Sequence, residues 1–280
     1  MSTTRRMLFV LGASDPEMSE IEAAVLAAGH EVVYATVNGV RVHPGNAYKA
    51  NGTILGGIAH VVRVECGGAA TVACDPINDG EDFYGHALNE CVSIDHHFPG
   101  DPGFGRAPIE FMDASSLGQV LALLGMEPTE RQRLVAAADH CLGAAYRGEC
   151  PGVNPDALAA FRAAERAAFQ KRPAAEVLAD IDAAVAALNA APRIDIGGGV
   201  EVADMRRPEP VAELMEAGTR TGTAYIAGPL VDPRDGRQKY TVSGEAAAAA
   251  FLAGGAAALG LVDTYGDPAR GFAGGYAPAA

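Results

Sequence analysis

The sequence contains no apolar stretch long enough to cross a membrane. No run reaches the roughly eighteen uncharged apolar residues that a spanning helix needs, and the alanine run at 246–250 is far shorter. The first apolar run breaks at Asp15, which is typical of a first strand and not of a signal peptide. We therefore expect a cytoplasmic protein that makes no membrane contact.

The sequence also has few cysteines and few lysines. Its five cysteines are an odd number and form no CxxC pair, which argues against a disulfide framework and against a zinc knuckle. The formal net charge of −14 argues against an extended nucleic-acid surface. Only three of the 21 basic residues are lysines. Arginines are therefore the natural candidates for binding the phosphate of a small ligand.

Three common binding and catalytic motifs are missing as well. The sequence after Gly12 does not make the GxGxxG fingerprint of dinucleotide-binding proteins. Neither a P-loop nor a GxSxG nucleophile elbow occurs.

What the sequence does contain is an alternation of strands and helices. An apolar strand over 6–12 precedes a helix that Ser14 or Asp15 caps, with Pro16 at its first position. A second strand over 31–36 follows, and strand–helix–strand order predicts a parallel sheet with helices on its faces.

The expected fold is a parallel, doubly wound α/β sheet domain joined by a helical connector to a smaller α/β domain. The first domain spans 1–150, the connector 151–190 and the second domain 191–280, which ends in a Gly-rich tail from Gly271 to Tyr276.

Acidic and histidine residues follow several of the predicted strands. Because strand ends meet at one crevice of a doubly wound sheet, we expect these side chains to lie close together. Carboxylates and imidazoles together suit Mn²⁺, Mg²⁺ or Zn²⁺. The residues are Asp15 and Glu17 after the first strand, Asp75 after a strand over 70–74, Asp95, His96 and His97 after a short strand, and Asp139 on a later helix over 129–147.

Simpler interpretations of these residues stay open. Asp95 can cap a turn beside two solvent-exposed histidines, and Asp139 with His140 can lie on the wet face of their helix. Ser115 and Ser116 are interpreted as a helix cap or, at most, as a phosphate cradle.

The order and spacing of these segments resemble the DHH phosphoesterase superfamily. The resemblance spans the chain in outline and is sharp around the triplet alone. The matching segments are the strand before Asp15-Pro-Glu17, the strand before Asp75, the triplet after Ile94 (Asp95-His96-His97), the helix start Asp113-Ala-Ser-Ser116 with Asp139 beyond it, and Gly274-Gly275-Tyr276, which is similar to the motif of the DHHA1 substrate-binding domain.

The resemblance implies a metal-dependent phosphoesterase with a cleft between two lobes and Mn²⁺ as the preferred ion. A metal-activated water would attack a small nucleotide-like or other phosphorylated substrate, whose scissile phosphate His97 would contact. The implied metal ligands are Asp15, Glu17, Asp75, His96 and Asp139. The substrate-binding candidates are Arg206, Arg207, Gly274, Gly275 and His43, and His43 is also a candidate replacement for a missing ligand.

Three departures from the family pattern keep other functions open. Leu11 stands where the family has a histidine, Glu17 where it has an aspartate, and Tyr276 where it has a histidine. One alternative is a degenerate member that binds a phosphorylated ligand or partner without hydrolysis. Another is a metal-free enzyme that uses the loop 37–58, with Arg41, His43, Asn46 and Tyr48. A homodimer is also left open.

Overall fold

The computed structural model describes residues 7–44, 46–51, 60–66, 92–233 and 235–278. The chain is of the mixed α/β class, with a parallel sheet and a separate mixed sheet. It divides into two compact units, Met1–Leu158 and Ala159–Ala280. Within the described ranges, none of the helices combines the length and the apolar content needed to pass through a bilayer.

The first unit carries the parallel sheet, whose strand order is β2-β1-β5-β6. Its strands are β1 (Met7–Leu11), β2 (Glu31–Tyr34), β5 (His60–Val64) and β6 (Val92–Ile94), with a separate antiparallel ribbon of β3 (Thr36–Val37) and β4 (Val40–Arg41). Its helices are α1 (Pro16–Ala27), α2 (Phe111–Ala114), α3 (Ser116–Leu124), α4 (Glu130–His140) and α5 (Leu142–Tyr146), with 3₁₀ turns at Ala47–Lys49 and Pro108–Glu110.

The predicted parallel sheet is confirmed, and its register brings three strand ends to one edge. Leu11 at the end of β1 pairs with Val64 at the end of β5. Val64 in turn pairs with Ile94 at the end of β6. All three side chains are buried, as expected for apolar strands covered on both faces. The segments that follow these strands therefore start from the same edge.

The capping signals explain where the helices begin and end. Asp15 caps α1 as predicted, because its Oδ1 accepts the backbone N–H of Met18 at 2.7 Å, and Pro16 follows it. The expectation of a single helix over 129–147 is wrong in one respect. Cys141, with φ −152° and ψ 48°, leaves the helical conformation and separates α4 from α5.

The strand expected over 70–74 lies outside the described residues.

The second unit contains a six-stranded sheet of order β11-β12-β10-β9-β8-β7, in which β8 and β9 are parallel. Its strands are β7 (Arg193–Asp195), β8 (Glu201–Arg206), β9 (Tyr225–Val231), β10 (Gln238–Ser243), β11 (Val262–Asp267) and β12 (Phe272–Tyr276). Its helices are α6 (Pro155–Gln170), which begins in the first unit, α7 (Ala174–Ala190), α8 (Leu214–Thr221), α9 (Glu245–Ala250) and α10 (Ala256–Ala258), with a π-helical turn at Phe251–Gly255 and a 3₁₀ turn at Pro268–Arg270.

Both faces of this second sheet are covered. Val202 of β8 packs with Phe251 on one face, and its neighbour Ala203 packs with Leu188 of α7 on the other. Helix α7 thus contributes to the core of the second unit, although its segment was expected to be a connector. The division between the units falls after Leu158, whereas the expected boundaries lie at 150 and 190.

The segment expected to be a Gly-rich tail is instead the strand β12. It pairs antiparallel with both β10 and β11. A Cβ added at Gly274 would lie 2.2 Å from the Tyr265 hydroxyl oxygen, so the ring occupies the space that a side chain would need. The glycine is therefore required for packing inside this sheet.

Candidate metal centre

Four side chains of the first unit meet at the edge where its strands end. Glu65 follows β5, His96 and His97 follow β6, and Asp139 lies in the last turn of α4. Each offers one ligand atom, and these atoms all lie within 4.8 Å of one another. We call these four residues the acidic–histidine cluster. Such a group could hold a metal ion.

The distance between His96 and Asp139 fits joint ligation of one ion. His96 Nε2 lies 3.1 Å from Asp139 Oδ2, and His96 Nδ1 lies 3.9 Å from Glu65 Oε1. Two adjacent ligands that are each about 2.1 Å from one ion are about 3 Å apart. The contact between His96 and Asp139 is therefore short enough for a hydrogen bond and also for joint ligation.

Two buried carboxylate oxygens at this edge lack a hydrogen-bond partner among the described residues, namely Glu65 Oε1 and Glu17 Oε2. The other oxygen of Glu17 accepts the backbone N–H of Leu117 at 2.9 Å, at the beginning of α3. An ionised carboxylate that is buried without a partner costs several kcal/mol. These oxygens consequently need either a proton or a cation, and both a proton shared by the Glu17 and Glu65 carboxyls and a divalent ion would satisfy them.

The pKa values of these carboxyl groups also indicate that they need a proton or a cation. Burial, followed by the charge of Asp139, raises the pKa of Glu65 to about 7. Burial also raises the pKa of Glu17 well above its ordinary value, and the charges of Asp139 and Glu65 raise it further. Without a cation, this edge of the sheet therefore resists full ionisation.

Both histidines of the triplet turn toward the acidic–histidine cluster. Adjacent residues in a strand point to opposite faces, but β6 ends at Ile94, so this alternation does not apply to His96 and His97. Their ring centroids lie 4.3 Å apart, with 23° between the planes. His96 Nδ1 is 3.2 Å from the Oγ of Ser116, a fully buried residue at the start of α3. With Nδ1 bonded to Ser116, Nε2 is the nitrogen that faces Asp139 and would meet a metal ion.

Asp95 holds the second histidine in place. His97 Nδ1 lies 2.8 Å from Asp95 Oδ1, and the Tyr48 hydroxyl donates to the same oxygen at 3.3 Å. Burial by itself would lower the pKa of His97, but the hydrogen bond to Asp95 and the nearby carboxylates outweigh it and raise the pKa to about 9. Because Nδ1 of His97 contacts Asp95, Nε2 is the ring nitrogen that would contact a ligand.

The simpler interpretation of the triplet is correct for part of it only. Asp95 does cap the turn, because its Oδ1 accepts the backbone N–H of His96 at 2.8 Å. The side chain of His96, however, is only 7% exposed and belongs to the acidic–histidine cluster. Asp139 is about one-third exposed at 32%, and yet it contacts His96.

The other predicted ligands are not members of the acidic–histidine cluster: Glu17 and Asp15 lie near it, His43 lies on the surface, and Asp75 falls outside the described residues. Glu17 interacts with Glu65. Asp15 caps α1 with its Oδ1, and burial raises the pKa of its carboxyl group. His43 is exposed and donates its backbone N–H to Asn46 at 2.8 Å. Asp75 falls in the segment that is not described.

Glu65 and Ser116 were missed as site residues by the sequence reasoning. Glu65 follows an apolar strand directly, and this is the same signal that selected Asp75. Ser116 was interpreted together with Ser115, but the two serines differ in function. The Ser115 hydroxyl accepts the backbone N–H of Gly118 at 3.1 Å and caps α3, whereas Ser116 contacts His96.

The predicted substrate-binding residues of the second unit fall into two environments. Arg206 and Arg207 line a cavity of about 480 Å³. Arg206 makes a two-pronged ion pair with Asp204 at 2.7 and 2.8 Å. The Arg207 guanidinium donates a hydrogen bond to the sulfur of Met205 at 3.6 Å. Gly274 and Gly275, by contrast, are buried in β12.

Comparison of the chain with protein-family models, with curated protein sequences and with solved structures found no match.

Proposed function

We propose that the acidic–histidine cluster binds a divalent metal ion and that the protein is a metal-dependent phosphoesterase. The observation that carries this proposal is the pair of buried carboxylate oxygens, on Glu17 and Glu65, that lack hydrogen-bond partners within the described ranges. They lie beside two histidines and Asp139. The resemblance of the surrounding motifs to DHH phosphoesterases supports the choice of phosphoester hydrolysis as the reaction.

Mn²⁺ is the preferred ion, with Mg²⁺ and Zn²⁺ as alternatives. The carboxylates of Glu65 and Asp139 together with the imidazole of His96 form a ligand set intermediate between the all-oxygen sites of Mg²⁺ and the nitrogen- and sulfur-rich sites of Zn²⁺. A bound divalent ion would polarise a phosphoryl oxygen and lower the pKa of a nearby water.

The side chains around the ion would divide the remaining work. Ser116 orients His96 through Nδ1, and Asp95 orients His97 in the same way. His97 would then present Nε2 to a phosphoryl oxygen of the substrate.

We propose a small phosphorylated substrate. The net charge of −14 disfavours long nucleic acids, since their backbones would be repelled over most of the surface. A small ligand needs only one ion and a few arginines to balance its own charge.

One observation favours a binding protein without hydrolysis as the second candidate. Leu11 occupies the position of a family histidine and is fully buried in β1. The metal site therefore lacks one imidazole, so an ion could be held too weakly for catalysis while a phosphorylated ligand still binds.

The test is a calorimetric Mn²⁺ titration combined with hydrolysis of bis(p-nitrophenyl) phosphate. Removal of a residue that only hydrogen-bonds to a metal ligand lowers metal affinity roughly 10- to 100-fold. Because His96 is itself a proposed ligand, we expect His96→Ala to lower Mn²⁺ affinity by more than this. Glu127→Ala, at an exposed glutamate outside the acidic–histidine cluster, is the control and should titrate like the wild type.

Each outcome of this experiment points to one function. Metal uptake with hydrolysis that His96→Ala abolishes supports the phosphoesterase. Metal uptake without hydrolysis of a broad phosphoester panel supports the binding protein. No Mn²⁺, Mg²⁺ or Zn²⁺ uptake refutes both metal-dependent forms, and activity that resists chelator but is lost in His43→Ala would indicate chemistry in the loop 37–58.

A further inference from the structure

Two cysteines lie in contact where α4 ends. Cys141 separates α4 from α5, and Cys150 follows α5 after a short turn. Their Sγ atoms are 3.1 Å apart, and both are free thiols. A disulfide bond needs a separation of about 2.05 Å, so closure requires a movement of only about 1 Å.

The backbone between the two cysteines holds them in this arrangement. The N–H of Glu149 donates to the carbonyl of Ala144 at 3.0 Å, which folds the chain back over α5. Gly148 has φ +76°, a conformation that glycine adopts without strain. The Arg147 guanidinium pairs with the Glu149 carboxylate at 2.6 Å across the same turn. The thiol contact therefore follows from local folding.

We propose that Cys141 and Cys150 form an oxidisable dithiol that closes to a disulfide and thereby restrains the chain next to Asp139. The partly exposed Cys141 is the thiol that a small oxidant meets first, and the buried Cys150 resolves the product. With hydrogen peroxide, the Cys141 sulfur attacks an oxygen and becomes a sulfenic acid as one water leaves. The Cys150 sulfur then attacks the Cys141 sulfur and releases a second water, so two thiols and one peroxide yield one disulfide and two waters.

The position of this dithiol links it to the acidic–histidine cluster. Asp139 lies in the last turn of α4, and Cys141 is tied to that turn because its N–H donates to the carbonyl of Ala137 at 3.2 Å. A disulfide would fix the end of this turn against Cys150. The consequence for metal binding rests on the proposed function, whereas the formation of the disulfide does not.

The dithiol is tested on the full-length reduced protein with hydrogen peroxide at about pH 8.5, because alkaline pH increases the fraction of reactive thiolate. The protein is then unfolded in the presence of an alkylating agent, which blocks the remaining free thiols, and is digested with trypsin without reduction. Trypsin cleaves after Arg147, so the two cysteines fall in the separate peptides 134–147 and 148–162.

We expect these two peptides to become the main cross-linked product, lighter than their sum by two hydrogens and separated again by dithiothreitol. Cys141→Ser and Cys150→Ser should each abolish the product, while Cys66 stays alkylated. Oxidation of Cys141 to sulfinic acid without cross-linking would refute the dithiol. So would cross-links spread among all the cysteines.

The link to metal binding is tested by Mn²⁺ titration of the reduced and the cross-linked protein. We expect the affinity to differ by about tenfold, which is the scale found for changes around a metal ligand. Affinities equal within about twofold would refute the link to Asp139. If the cross-link forms but the reduced protein binds no Mn²⁺, the proposed function and the link fail, while the dithiol itself stands.

Discussion

Replacement of Glu65 by glutamine should make the metal-free protein more stable, and more so as the pH rises. The pKa of Glu65 rises from 4.5 to about 7 in the folded chain, because of burial first and the Asp139 charge second. Since one pKa unit corresponds to about 1.4 kcal/mol, ionised Glu65 destabilises the folded state by up to about 3 kcal/mol. Glutamine removes this charge and keeps the shape.

The sign of the pH dependence follows from the direction of the shift. Because the pKa of Glu65 is higher in the folded state than in the unfolded one, its stabilising contribution is fully present below pH 4.5. It is lost as the pH rises through about 7. Wild type and Glu65→Gln should therefore have similar unfolding free energies near pH 4.5, and the variant should be the more stable at pH 8 by up to about 3 kcal/mol.

The assay is urea unfolding of both proteins at several pH values between 5 and 8, with a chelator present. Glu127→Gln, at an exposed glutamate, is the matched control and should follow the wild type at every pH. Saturating Mn²⁺ should reverse the order, because a carboxylate ligand then stabilises the wild type. If the difference in unfolding free energy between wild type and Glu65→Gln stays constant from pH 5 to pH 8, the folded state does not raise the pKa of Glu65.

Three further substitutions test the packing around and away from the site. Gly103→Ala would place a Cβ 1.9 Å from the carbonyl oxygen of Ala114 and 2.7 Å from the Cβ of His96, so the backbone before α3 and His96 must both move. We expect a lower unfolding free energy in urea and at least about tenfold weaker Mn²⁺ binding, and unchanged affinity would contradict this. Leu121→Ala, at a buried core position, should lower the unfolding free energy by about 3 kcal/mol in urea and leave Mn²⁺ affinity unchanged. Glu216→Ala breaks a buried ion pair with Arg162 at 2.8 Å and should cost about 3 kcal/mol, and a loss below about 1 kcal/mol would show that solvent screens the pair.

The parallel sheet and most of the site could be predicted from the sequence because both depend on short, strongly patterned segments. The apolar run of β1 and the Asp15-Pro16 helix start fix the first strand and helix locally. The triplet after β6 lies at a strand end, where a parallel sheet gathers its functional residues. Glu65 carries the same signal and was overlooked in favour of Asp75.

Other features depend on contacts that sequence patterns do not show. The strand β12 has two adjacent glycines, which have low strand propensity, and it is stabilised by Tyr265 and by pairing on both sides. The contact between Cys141 and Cys150 depends on the break between α4 and α5, which no proline or glycine marks. Tertiary packing decides both features, so propensity alone could not predict them.

The close passage of β1 and β5 at Gly12 has a consequence for how this protein can evolve. A Cβ at position 12 would lie 2.3 Å from the carbonyl oxygen of Glu65, so no other residue fits without moving the backbone. In a library of all single substitutions, we expect position 12 to accept glycine alone if the chain is to fold. Position 65 should accept glutamine and still fold while losing metal. A descendant of this chain could therefore change or abandon its chemistry by side-chain replacement and keep the scaffold that Gly12 secures.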